Sequence, residues 1–449
     1  MRRSAFLTKS AAAGAAFALP GLPALAAQDM TPAAAAVRAY TFAYPLVMVE
    51  LTERSQLTQT GYNRFRHDRH LAGPDNKFIV RPNVDTLYSS AFINLANGPI
   101  VLSVPNSHHH FFVCQVMDAW TNVFADPGTR TTGEDAHQLV FVGPGQTATV
   151  PAGMTRVDAP TNACWFFVRI ALHAGADIAG VHAMQDGFTL APLAGGSALP
   201  GMDHVDADTV DRAKAVAALD ADAFFTIAMR RLVGNPPPAA DADRLTDLAL
   251  FGLTAGEPVN TGKLSRERRN ALRDAPQTAR AAIEGMSTPA SGLTPTGWLR
   301  PDRTIGRFGG DDLLRARTAY YGLAANLPED AVYFATRASG AHTLQMSFNA
   351  AAIPPEDGFW SLTLYDTAGF LVANATQKYA VRSGDAFVHQ PDGTLILTLG
   401  PNAPADPDRA AANWLPAPAG PYTLLLRLYA PRAAAIDGRW IPPALVPAG

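Results

Sequence analysis

From about residue 76 to 173, short apolar runs follow one another too closely for helices. "TLYSSAFINL", "PIVLSVP", "QLVFVGP" and "CWFFVRIAL" have strand length, and turn words such as "NGP" and "GPG" separate them. Strands this short and this regularly spaced build antiparallel sandwiches or barrels. The texture returns near the end in "FWSLTLYD", "TLILTLG" and "YTLLLRLYAP". In the last of these, Leu424, Leu426 and Leu428 share one face, and Arg427 and Tyr429 share the other. A charge such as Arg427 inside a strand must be paired or face solvent. Between the two β-rich parts the pattern is helical, in "VDRAKAVAALDADAFFTIAMRRLV", "LSRERRNALRDAPQTARAAIEGM" and "DDLLRARTAYYGLAANL". The expected class is mainly β with a helical middle segment, α+β.

The first 27 residues read as an export leader. Arg2, Arg3 and Lys9 precede a short apolar stretch, and "ALAA" at 24–27 offers small residues for cleavage. Arg2–Arg3 followed by Phe6–Leu7 leaves the twin-arginine and general secretory routes both open. Pro20 and Pro23 and the short length argue against a membrane anchor. Cleavage leaves 33 basic against 39 acidic side chains, net −6. Such a chain has no general attraction for nucleic acid and no basic helix for anionic lipid. The expected location is periplasmic or secreted, with no stable membrane insertion. Thr31 as cap and Pro32 in the first turn predict a helix bent at Pro45. Cys114 and Cys164 lie in apolar runs and read either as a disulfide or as two buried thiols.

"SHHHFFVCQVMDAW", 107–120, invites a metal reading. On one strand His108, His110, Phe112, Cys114 and Asp118 share a face. Cys114 then lies roughly 13 Å from His110, too far for one ion. Only His108 and His110 remain as a chelate, so the expectation is no metal and no cofactor.

Several words match a known family. "NVDTLYSSAFINL", "GPIVLSVP", "DAWTNVFADPGTRTTG", "FVGPG" and "PTNACWFFVRI" resemble the bacterial domain-of-unknown-function family DUF1254. "LVANATQKYAV", "DGTLILTLGPNAP", "NWLPAPAGPYTLLLRLYAP" and "WIPP" resemble its usual partner, DUF1214. The resemblance implies two all-β units, the rear one jelly-roll-like, joined by a helical stretch. It implies no agreed reaction. The expected organisation is a leader at 1–27, a DUF1254-like β-rich domain at 35–190, a helical connecting region at 191–325 and a DUF1214-like β-sandwich at 326–449. This chain departs from the family where His110, Phe111 and Phe112 replace an arginine and two tyrosines. Gln115 stands where proline is common, and an aspartate is missing from "YFATRASGAHTLQMSF".

The polar turns beside apolar strands carry the candidate chemistry. "RPNVDTLYS" supplies Asn83, Asp85 and Tyr88, and "DAWTNVFADPGTRTTG" supplies Asp118, Trp120, Arg130 and Thr132. Asp85, Asp118 and Tyr88 are the candidate acid–base groups; two carboxylates brought together would drive one pKa upward. Asn83, Trp120, Arg130 and Thr132 are the candidate substrate contacts, with Arg130 as a fork for an anion or a pin for its loop. Trp360, Tyr365 and Trp414 could line a sugar or aromatic pocket, though such positions usually belong to a core. The chain has no nucleophile elbow, Walker loop, dinucleotide turn, zinc-protease helix motif or C-x-x-C. The expectation is an exported, metal-independent hydrolase or lyase with a carboxylate/arginine cleft in the front domain. The alternative is a non-catalytic cell-envelope protein that binds a small-molecule or envelope-derived ligand.

Overall fold

The structure is a computed structural model that describes residues 30–76, 81–172, 177–204, 211–285, 290–349 and 352–448. The expected leader lies outside the described residues.

Helix α1 (Pro32–Thr60) opens as its sequence requires: Thr31 Oγ1 accepts from Ala34 N at 3.3 Å, and Pro32 occupies the first turn. Pro45 sits within the helix and does not end it. Nearly every side chain from Ala35 to Val49 is buried, with no polar face. A helix apolar on all sides must be covered on all sides.

Next come the front strands β1 (Thr86–Asn94), β2 (Ile100–Val104), β3 (Phe112–Asp118), β4 (His137–Val142), β5 (Ala163–Ala171) and β6 (Thr189–Pro192). The middle stretch contributes α2 (Ala221–Leu232), α3 (Arg244–Leu250), α4 (Arg266–Glu284) and α5 (Asp312–Tyr321). These helices do more than connect, because all four pack against α1. Their apolar core contains Tyr40, Phe224 and Phe225. Ion pairs set the angles. Arg38 grips Asp247 with two hydrogen bonds of 2.5 and 2.6 Å. Buried Arg315 meets Asp241 at 2.6 Å. Arg231 pairs with both Glu53 and Glu50.

The front domain is a sandwich. β1, β5 and β3 lie side by side, antiparallel, with Thr86 opposite Ala171 and Phe112 opposite Ile170. Leu87, Phe166, Val168, Phe112 and Val116 point one way, onto Leu102, Leu139, Phe141 and Leu190 of the second sheet. The opposite face carries Tyr88, Phe92, Trp165, Phe167, Arg169, Gln115 and Met117.

The rear strands are β7 (Ala331–Ser339), β8 (Leu344–Phe348), β9 (Glu356–Tyr365), β10 (Leu395–Gly400), β11 (Trp414–Pro416) and β12 (Pro421–Pro431). β12 is central, between β7 and β9. Leu424, Leu426 and Leu428 enter the core between the rear sheets, with Met346, Phe348 and Leu397. Leu425, Arg427 and Tyr429 lie on the other face. The α+β class holds, and the sandwiches are mainly antiparallel; β10 and β11 form a parallel pair.

Two readings of the histidine strand change. His108 and His109 have φ of 48° and 67°, so they form a turn, and the strand starts at Phe112. His108 and His110 therefore do not continue one strand face. His109 Nδ1 instead meets Glu134 at 2.7 Å. Among the described residues no group of three or more His, Cys, Asp or Glu side chains is placed to hold a metal ion. Cys114 lies opposite Val168, and Cys164 opposite Asp118, so the two thiols are separated along the sheet and both are free and buried.

Arg231→Met would leave Glu53 and Glu50 without their buried partner. It should lower unfolding free energy by about 3–5 kcal/mol, read from urea denaturation.

Candidate functional site

The expected cleft of Asp85, Asp118 and Arg130 does not form. Asp118 lies opposite Cys164, and Thr86, next to Asp85, lies opposite Ala171. The carboxylates are thus at opposite ends of β5, roughly 23 Å apart along the strand. Each is occupied locally. Asp118 accepts hydrogen bonds from Trp120 N at 2.8 Å, Asn122 N at 2.8 Å and Asn122 Nδ2 at 2.9 Å, which close the turn after β3. Asp85 accepts from Arg382 Nε at 2.9 Å and from the Ser361 hydroxyl, both in the rear domain. Arg130 is a pin: it binds Asp126 in its own loop and Asp330 at 2.8 Å. Burial pushes the Asp330 carboxyl up to about 7 although Arg130 opposes this, and nearby Asp126 adds to the rise.

Trp120 and Thr132 are structural. Trp120 is fully buried, stacks on Phe42 with centroids 4.6 Å apart, and gives its indole N–H to Asn235 O and Pro236 O. Thr132 folds its hydroxyl onto Gly128 N at 3.1 Å. Asn83 does both jobs: its Oδ1 accepts from Asp85 N and Thr86 N, and its Nδ2 donates to Tyr429 Oη at 2.6 Å.

The Asp118 arrangement has a pH signature. Burial pushes its carboxyl up to about 6, although the N–H groups of Asn122 and Trp120 pull the other way. Between about pH 4, the unfolded value, and about 6, the folded chain holds a proton that the unfolded chain has released. Stability therefore falls as pH rises through that window. Asp118→Asn should remove this dependence, up to about 3 kcal/mol, as seen in denaturation midpoints across the window.

Tyr88 alone of the three acid–base candidates keeps accessible surface, at a place where side chains of the front and rear domains come together. Phe167 and Tyr333 keep some as well, yet burial raises the Tyr88 phenol pKa. Across the front sheet Tyr88 lies directly opposite Arg169. The Arg169 guanidinium sits 4.5 Å from the Phe167 ring centroid and 5.6 Å from that of Tyr88. Across the rear sheet Arg427 lies between Tyr333 and Ser361. Arg169 and Arg427 both oppose the rise in the Tyr88 pKa, so both act on one phenol from different domains.

Neither arginine has a carboxylate in contact among the described residues. Arg427 is 3% exposed and donates to Thr363 Oγ1 at 2.9 Å, Tyr365 Oη at 2.7 Å and Arg81 O at 3.2 Å. Burial favours loss of its proton, but Tyr365, Tyr429 and the more distant Asp85 outweigh this and hold it charged. Arg169 is 7% exposed and donates to Gln115 Oε1, Asn326 Oδ1 and Ala324 O at 2.6–2.9 Å. A guanidinium has five N–H groups, so each keeps donors beyond these three bonds. Asn326 joins the walls by also donating to Tyr333 Oη at 2.5 Å. The phenol oxygens of Tyr429 and Tyr333 accept from Asn83 and Asn326, and the Tyr88 phenol interacts with the Thr86 hydroxyl. Phe359 and Tyr429 stack with centroids 4.2 Å apart, and Phe111 meets both edge-on.

The arrangement can hold an anion against aromatic walls and give it phenol hydrogen bonds. Sequence reasoning found Tyr88 and Asn83 but missed Arg169, Tyr333, Tyr429 and Asn326. The available signal was a lone arginine inside an apolar strand, present twice, in "FFVRIAL" and "LLLRLY". Gln115, the departure from the family pattern, supports Arg169 and ties β3 to Ala325 O at 2.7 Å.

Residues 62–192 match the family described as Protein of unknown function (DUF1254), and residues 334–433 match Protein of unknown function (DUF1214). The chain belongs to the two-domain DUF1254/DUF1214 family. The cluster around Tyr88 takes Tyr88 and Arg169 from the DUF1254 part and Arg427 and Tyr429 from the DUF1214 part, so neither part makes it alone. The crystal structure of the VPA0106 protein from Vibrio parahaemolyticus is similar in fold, with a TM-score of 0.68 at 19% identity, covering 93% of this chain and 100% of that one. An uncharacterized protein from Burkholderia cenocepacia overlaps with a TM-score of 0.41 at 14% identity, covering 87% of this chain and 84% of that one. No curated protein matches.

The Asp85–Arg382 pair joins the two family parts. A double-mutant cycle of Asp85→Asn and Arg382→Met should show a coupling energy of about 1–3 kcal/mol in denaturation.

Proposed function

We propose that this DUF1254/DUF1214 protein is exported and binds a small organic anion in a crevice between its two β domains. One observation carries the reading: Arg169 and Arg427 are buried, act on the same phenol, Tyr88, from different domains, and have no carboxylate in contact among the described residues. Burying a guanidinium with no carboxylate in contact costs several kcal/mol; for Arg427 the neighbouring phenols and the Asp85 charge offset that cost, so the unmet need for an anion lies chiefly at Arg169. A carboxylate, phosphate or sulfate entering the crevice supplies that counter-charge and takes the spare N–H and phenol donors. The walls of Phe167, Tyr88 and Tyr333 favour a ligand with a flat apolar body. Export is supported by the leader-like first 27 residues and by the acidic balance that remains after them. No helix among the described residues is long and apolar enough to cross a membrane.

A hydrolase or lyase built on Asp85 and Asp118 loses its support, since both carboxylates are spent on neighbours. A lyase reading survives in another form, favoured by the position of Tyr88 beside two guanidiniums. Arg169 and Arg427 would hold a substrate carboxylate, and the Tyr88 phenol, kept protonated by burial, would give its proton to a departing hydroxyl while a water takes the proton lost from the neighbouring carbon, so that a C=C bond forms as the C–O and C–H bonds break.

Thermal shift and calorimetry with benzoate, 4-hydroxybenzoate, phthalate and inorganic phosphate test the binding reading. At least one organic anion should stabilise the chain, by about 2.7 kcal/mol at a hundredfold excess over Kd. Arg427→Met should abolish this and Arg427→Lys should weaken it, because a point charge does not replace a planar fork. Unchanged affinity in Arg427→Met sinks the proposal. Recovery of an altered ligand, lost in Tyr88→Phe, selects the lyase form; recovery of intact ligand selects the binding protein.

A further inference from the structure

The rear domain carries a second opening, remote in the sequence from the crevice residues. A groove of about 630 Å³ lies at the end of the sheet formed by β8, β10 and β11. Its described lining has no Asp, Glu, Lys or Arg. Its polar side chains are His342, Thr343, Gln345, Thr398 and Asn402. None of the five has a side-chain hydrogen bond within the described protein, so their donors and acceptors face water.

Register explains how these groups come together. Gln345 lies opposite Thr398, and Thr398 opposite Trp414, so one row crosses three strands. Their neighbours Met346, Leu397 and Leu415 turn into the core, so this row is on the outer face. Trp414 is partly exposed, unlike Trp360, which is buried in the core at 3% exposure. Trp414 Nε1 donates to Gly400 O at 2.9 Å, which fixes the indole against the sheet and turns it toward the end where the groove opens. Gly400 also matters for close approach: a Cβ there would meet Thr343 Oγ1 at 2.9 Å. Three adjacent strands span about 10 Å, the scale of two linked sugar rings.

We infer that this face is a binding site for a neutral oligosaccharide. Trp414 flanks the groove rather than lining it: its fixed, partly exposed indole, one strand from Thr398, offers an apolar plane for the C–H face of a pyranose. The amides and hydroxyls beside it offer both donors and acceptors. The absence of charged side chains from the described lining sets this site apart from the arginine crevice and disfavours ionic ligands. The inference does not depend on what the crevice binds.

The test is calorimetry of the full chain with cellotetraose, maltotetraose and chitotetraose. At least one should bind, with Kd on the order of 0.1–1 mM, a weak affinity in keeping with an open groove. Trp414→Ala and Gln345→Ala should each weaken that binding by about tenfold or more, while Arg427→Met leaves it unchanged. Circular dichroism melting checks folding; if Trp414→Ala unfolds, Gln345→Ala and Thr398→Val decide. Three silent titrations at 10 mM sugar, on the order of ten times the expected Kd, overturn the inference. So does affinity that survives in Gln345→Ala and Thr398→Val, or that disappears in Arg427→Met.

Discussion

Both central β-sheets bury both of their faces, and this constraint organises the rest of the molecule. One face of each closes its own sandwich with aliphatic side chains. The other face turns toward the interior of the whole chain, where it meets α1, residues 323–330 or the partner domain. Packing there is mixed. Phe92, Met117 and Trp165 join an apolar cluster with Leu327, while Tyr88, Arg169, Arg427 and Tyr365 leave polar groups beside them. A sheet face that carries arginine and tyrosine cannot close as tightly as one that carries leucine. Polar and aromatic groups of both domains therefore meet around Tyr88.

The carboxylates explain why the site is cationic. Asp85 is committed to Arg382 and Ser361, Asp118 to its turn, and Asp330 to Arg130. Each of these holds two chain segments in a fixed relation, which is the usual work of a buried acid that has found donors. Arg169 and Arg427 are held by neutral oxygens of Gln115, Asn326, Thr363 and Tyr365. These contacts orient a guanidinium without cancelling its charge. The distinction between pinned acids and oriented but uncancelled cations is what moves the functional reading from acid–base chemistry in one domain to anion capture between two.

The fold was largely legible. Period-two alternation placed Leu424, Leu426 and Leu428 in a core and Arg427 opposite them, and Thr31 and Pro32 announced α1. The histidine run misled because a strand pattern was extended backward through "SHHH", where two left-handed residues make a turn. Pro105 and Asn106 just before it were the warning. The site was half legible. Tyr88 and Asn83 were recognised from their turn. Arg130 and Trp120 looked equally suitable by residue type, and only their contacts show a pin and a core indole.

Local patterning by itself determined the α+β class, the inward and outward faces of each strand, and the presence of arginines where strands should be apolar. It did so because these depend on spacing over a few residues. Tertiary structure alone decided that β5 would hold Asp85 and Asp118 at its opposite ends, and that Arg169 and Arg427, 258 positions apart, would act on the same phenol. Those outcomes depend on which sheet faces meet. That choice follows from the total apolar surface to be covered, and no short window of residues records it.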